Sequence, residues 1–128
     1  MTDAGFDSPS YTQFADGPWL TKRAMEWFWD AYLPDPTAPN QPTATPLNAP
    51  LDQLARRPEA LVIVDENDVL RDEGEAYARK MSDAGVRVTS VRYNGTIHDF
   101  VMLNALADIP ATRGANAQAV GTFRVALG

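Results

Sequence analysis

The chain has 128 residues, of which 45% are apolar and 22% charged, with a net charge of −6 and a pI near 4.6. That length supports one modest domain with a single core, and the composition is too apolar for a disordered chain. The acidic balance, with 11 scattered Lys and Arg residues, argues against a nucleic-acid partner. Lack of cysteine removes disulfides, thiolate metal ligands and a cysteine nucleophile, and with His98 as the lone histidine a structural zinc site is not expected.

The first residues, MTDAGFDSPSY, carry neither a basic nor an apolar leader segment, and no apolar run reaches the roughly 20 residues of a membrane span. The expectation is a soluble, cytoplasmic chain. Residues 1–18 contain Gly5, Pro9, Gly17 and Pro18 and read as loop. In LTKRAMEWFWDAYL a helix is expected, capped by Thr21 and stopped by Pro34. Its apolar side is Ala24, Trp27, Phe28 and Ala31, extended by Met25 and Tyr32. Residues 33–50 hold six prolines, either a linker between domains or a long surface excursion. The second is favoured, because residues 1–32 are too few to bury a core alone.

The run ALVIVDE predicts a parallel strand buried on both faces. A helix follows, with Asp72 as N-cap, Glu75 at the capping-box position, Tyr77, Met81 and Ala84 on one face, and Gly85 as the stop. A second strand is expected over 87–93, which makes residues 60–93 a βαβ unit. After His98 comes a short helix or turn ended by Pro110, then a closing helix over 111–128 with Ala117, Val120, Phe123 and Leu127 inward. Loops leaving the C-terminal ends of parallel strands line the site crevice of an open sheet. One such loop carries Asp65, Glu66 and Asp68, and the other carries His98, so a carboxylate and an imidazole reach the same sheet edge.

These segments, from SYTQFADGPWLTKRAMEWFWDAYL through ALVIVDENDVLRDEGEAYARKMSDAGVRVTSVRYNGTIHDF to the closing helix, resemble the C-terminal part of α/β-hydrolases of the hormone-sensitive-lipase-like carboxylesterase family. The resemblance covers essentially the whole chain and centres on a D-x-L-x-D-E-G motif followed by histidine. It implies an α/β fold in the form of a C-terminal portion of an α/β-hydrolase with an incomplete sheet. It also implies carboxylic-ester hydrolysis with Asp68 as triad acid and His98 as general base, while Asp72 and Glu73 match the second acidic pair of the motif. No cofactor or metal is implied, and the substrate would be a small-molecule ester.

The chain departs from the family pattern in having Val69 where proline is usual and Asp99 where glycine is frequent; Asp99 places a second carboxylate beside the ring. The G-x-S-x-G nucleophile turn and the upstream His-Gly-Gly segment are absent, and Ser8, Ser10, Ser82 and Ser90 lack flanking glycines. The nucleophile is therefore not expected on this chain. Trp19, Trp27, Phe28 and Trp29 suit either an ester pocket or core and subunit contact, of which the second is favoured. The alternative to an enzyme portion is a non-catalytic module that binds an apolar ligand or a partner, with self-association through an exposed sheet edge. Nucleotide binding is set aside because no G-x-G-x-x-G follows either strand.

Overall fold

The computed structural model describes residues 1–33 and 41–128; the centre of the proline-rich segment lies outside the described residues. Among the described residues seven regular elements follow one another: α1 (Pro9–Gln13), α2 (Lys22–Tyr32), α3 (Leu51–Leu54), β1 (Ala60–Asn67), α4 (Arg71–Asp83), β2 (Val88–Ile97) and α5 (Pro110–Leu127), with 3-10 turns at Pro46–Asn48 and Asn104–Leu106. β1 and β2 pair in parallel across the α4 crossover, which is the βαβ unit of an α/β fold. Among the described residues no helix is long and apolar enough to cross a membrane.

Residues 1–18 are not all loop. Ser8 is extended, Pro9 occupies the first helical turn where its missing N–H is not needed, and one short helix forms. It is held from a distance: the Ser10 amide donates to Asp72 Oδ2 at 2.8 Å, the Ser10 hydroxyl to the Val69 carbonyl at 2.6 Å, and the Tyr11 hydroxyl to Glu73 Oε2 at 3.1 Å. Around these bonds Tyr11, Phe14, Leu20, Met25, Trp29 and Val69 form the main apolar cluster. Thr21 caps α2 as expected, accepting from the Ala24 amide at 3.1 Å. The buried stripe, however, is Met25 and Trp29, while Trp27, Phe28 and Tyr32 are exposed. Helical spacing allows either phase, and the Tyr11 and Val69 side chains select this one.

Further expectations are corrected in α4, β1 and α5. Asp72 is not the N-cap of α4; Leu70 holds that position, and Asp72 lies in the first turn with its carboxylate bonded to Ser10 and Arg71. Glu75 pairs with Arg92 of β2 rather than closing a capping box, and the buried residues of α4 are Glu73, Ala78 and Met81, with Tyr77 and Ala84 only partly covered. β1 is buried on both faces only at Val64 and Asp65, because it has one strand neighbour among the described residues. In α5, Pro110 begins the helix instead of ending the preceding turn. Its buried residues are Thr112 and Ala115, whereas Ala117, Val120, Phe123 and Leu127 are exposed. Small side chains let the first turns of α5 approach β2, where the Tyr93 hydroxyl donates to Gln118 at 2.9 Å.

The glycine of the D-E-G triplet has a packing reason. A Cβ on Gly74 would lie 2.8 Å from Cγ1 of Val64, so its absence lets α4 close onto β1 beneath the acid loop. Val64 is β-branched and cannot swing aside freely. Gly74→Ala is therefore expected to lower stability by about 1–2 kcal/mol despite its better helix propensity, and Val64→Ala in that background to recover part of the loss, both read from urea unfolding.

Candidate active site

The two strands begin in simple register, with Ala60 opposite Val88 and Asp65 opposite Tyr93, a separation of 28 residues. Past Asp65 the register shifts, and Asn67 faces Ile97, a separation of 30. Continued without the shift, β2 would set Thr96 opposite Asp68 and carry His98 past the acid. The two extra residues of β2 instead bring His98 level with Asp68. Gly95 makes the bulge possible with φ +73°, a conformation that side chains disfavour. Its amide donates to Glu66 Oε2 at 2.6 Å, and the Asn67 side-chain amide donates to the Thr96 carbonyl at 3.1 Å. The Thr96 hydroxyl closes the turn onto the Tyr93 carbonyl at 2.5 Å.

At the end of this bulge the His98 Nδ1–H donates to Asp68 Oδ2 at 2.9 Å. The other oxygen of Asp68 accepts the Leu70 amide at 2.9 Å, so the carboxylate is fixed by the start of α4 as well as by the ring. Asp68 is buried, and His98 is partly exposed. The Asp68 hydrogen bond pushes the imidazole pKa up, burial opposes this, and the charges of Asp68, Asp99 and Asp65 add to the upward shift.

Asp99 takes the left-handed conformation at φ 64° and brings Oδ1 to 3.4 Å from His98 Nε2, while its Oδ2 lies 3.4 Å from the indole N–H of Trp19. Trp19 is itself left-handed at φ 67°, so two strained non-glycine residues meet at the exposed side of the ring. Of the four aromatic residues named as pocket candidates, Trp19 reaches the site, Trp29 is in the core, and Trp27 and Phe28 point to solvent.

Asp65 completes the group. Its carboxyl is buried, and burial followed by the nearby Asp68 charge pushes its pKa up to about 7. Donor atoms of Asp65, Asp68 and His98 lie within 4.8 Å of one another. That spacing suits a shared divalent ion, and in the geometry present the His98–Asp68 pair is joined by the Nδ1–H hydrogen bond. The ring and both carboxylates line a cavity of about 370 Å³ whose other walls include Val62, Leu70 and Phe100. The serines lie elsewhere: Ser10 is locked between Val69 and Asp72, and Ser82 and Ser90 line a separate depression between α4 and β2. Sequence reasoning missed the bulge and its holders Glu66, Asn67 and Gly95, for which the Asn94-Gly95 turn dipeptide was the available signal.

This βαβ unit, with an acid after the first strand and a histidine after the second, defines an α/β-hydrolase. The family model described as "alpha/beta hydrolase fold" matches residues 1–102, and the chain belongs to that family. It is 50% identical over 117 residues to a putative alpha/beta hydrolase of Acanthamoeba polyphaga mimivirus, covering 88% of this chain and 33% of that protein. It is 32% identical over 108 residues to an ethyl acetate hydrolase of Pseudomonas putida, covering 84% of this chain and 33% of that one. Among solved structures, a thermostable esterase from Pseudomonas putida superposes with a TM-score of 0.91 at 57% identity, over 93% of this chain and 37% of the esterase. The chain thus spans about a third of the length of the curated relatives it matches.

Both the Asp65 carboxyl and the His98 ring bind a proton more tightly in the folded chain than in the unfolded one. Their contribution to stability is therefore present in acid, below the unfolded pKa of each, and is lost as pH rises through the folded values. Urea unfolding is expected to give lower stability at pH 8 than at pH 5, with the slope reduced in Asp65→Asn. Equal slopes in the two proteins would contradict the assignment of Asp65 as a buried acid that ionises near neutrality.

Proposed function

We propose that the chain supplies the acid and the general base of a carboxylic-ester hydrolase of the Ser-Asp-His type, as the C-terminal part of such an enzyme. The observation that carries this reading is the 2.9 Å bond from His98 Nδ1 to a buried, doubly anchored Asp68, in a ring that lines a cavity with Val62, Leu70 and Phe100 in its walls. Asp68 selects the tautomer with hydrogen on Nδ1, which leaves Nε2 as acceptor. Nε2 takes the proton of a serine hydroxyl as the oxygen bonds to the ester carbonyl carbon. The imidazolium, stabilised by Asp68, then returns that proton to the departing alkoxide as the ester C–O bond breaks. Water repeats the sequence against the acyl-enzyme and frees the acid. The serine belongs to a segment other than this chain, since none of its four serines lies in the required turn.

The name of the Pseudomonas putida ethyl acetate hydrolase supports short-chain esters as the substrate class. A chimera of the thermostable Pseudomonas putida esterase, with the matched third replaced by this chain, is expected to hydrolyse p-nitrophenyl acetate. His98→Ala in that chimera is expected to lower kcat by about 10³-fold or more, with Asp68→Ala also strongly impaired. Unchanged turnover in the histidine variant would overturn the reading.

A second reading rests on the surface. β1 has one strand neighbour among the described residues, and α5 exposes Phe123, Val125 and Leu127. These features support self-association of the isolated chain through its sheet edge and apolar helix face. Sedimentation is expected to show dimers or larger species at micromolar concentration, and a monomer throughout that range would remove this reading.

A further inference from the structure

Asp65 has no part in the Ser-Asp-His scheme, yet it stands behind the pair with only 9% of its surface exposed. It precedes the bulge, faces Tyr93 across the ladder, and a carboxylate oxygen of Asp65 lies within 4.8 Å of one of Asp68 and of a ring nitrogen of His98. Two buried carboxylates this close offer each other acceptors and no donor and repel when both are ionised, so the pair holds one proton. Asp68 already accepts Nδ1–H of His98 on Oδ2 and the Leu70 amide on Oδ1. That pattern is satisfied by an ionised acid, which leaves the proton on Asp65.

We propose that Asp65 is a positioning residue of this site: its protonated carboxyl donates to Asp68, fixes the acid against His98, and withholds a further negative charge from the imidazole. The charged and titratable groups around the ring show why this matters. Asp68 comes from the loop after β1, Asp99 adjoins the ring itself, and Glu73 of α4 and the N-terminal Met1 line the same cavity, while α5 contributes uncharged Asn116 and Ala119. Were Asp65 ionised as well, three carboxylates would crowd the ring and hold it as imidazolium, unable to accept a proton. Burial and the Asp68 charge, which push Asp65 up to about 7, agree with this placement of the proton. The titrations of Asp65 and His98 are then linked, because a proton on either ion disfavours one on the other.

The inference rests on the reading of His98 as the base, but its test observes the imidazole and not ester turnover, so the two can fail separately. Since His98 is the lone histidine, its ring resonances in the whole 128-residue chain can be followed by NMR from pH 4.5 to 9 without assignment ambiguity. The native chain is expected to show two coupled steps. Asp65→Asn, which keeps a donor toward Asp68 but cannot ionise, is expected to show one step, at the midpoint of the native chain's lower step. Asp65→Ala removes the donor, and its Nδ1 proton is expected to exchange with water faster than in the Asn variant. Two steps persisting in Asp65→Asn would overturn the proposal, as would a midpoint at least about half a unit below the native lower step, roughly threefold in proton affinity, since that would make Asp65 an ionised neighbour of the ring. So would equal Nδ1–H protection in the Asn and Ala variants, which would make Asp65 a filler of space.

Discussion

The pairing of His98 with Asp68 depends on a register shift between two strands. Backbone ladders hold parallel strands in fixed register, so a residue of one loop meets a residue of the other only if the chain lengths before them agree. Here they disagree by two residues until the bulge at 94–96 absorbs the difference. The bulge stands because Gly95 tolerates its conformation and because Glu66 and Asn67, the residues just before the acid, hold it by hydrogen bonds. The strand that presents Asp68 thus also sets the height of His98.

The acid loop is braced from the other side by the N-terminal region. Ser10 and Tyr11 reach the Val69 carbonyl, Asp72 and Glu73, while the guanidinium of Arg71 stacks over Phe14 at 5.3 Å. Although burial works against its charge, Asp72 is held below the usual carboxylate range by Arg71 and Ser10, whereas burial pushes Glu73 up. The D-E-G triplet therefore does three structural jobs in sequence: an anchor for α1, a buried acceptor for Thr2 and Tyr11, and a gap through which α4 approaches Val64. Of Asp68, Asp72 and Glu73, the one bonded to the histidine is Asp68, which lies before the helix begins.

The site itself gathers more negative charge than one imidazole needs. Asp68 lies on the Nδ1 side, Asp99 on the Nε2 side and Asp65 behind. Two of the three left-handed non-glycine residues among those described, Asp99 and Trp19, meet beside the exposed side of the ring. Charge and backbone strain together mark this corner as the part of the molecule shaped by something other than stability.

Much of the fold could be read from local pattern. A β-branched apolar run, a helix of amphipathic spacing with a terminal glycine, and a second strand dictate a βαβ crossover, since each signal is carried by adjacent residues. That Asp68 and His98 share a sheet edge was legible for the same reason, since both lie just past strand ends. Tertiary structure alone decided which phase of α2 faces inward, whether Asp72 caps α4 or binds Ser10, and that the apolar residues of α5 face outward. In each case the local sequence permits two arrangements of nearly equal energy, and a contact from a residue tens of positions away selects one. The strand register is of this kind too: spacing along the chain told that an acid and a histidine share an edge, but only the bulge, held by side chains on the opposite strand, set them at hydrogen-bonding distance.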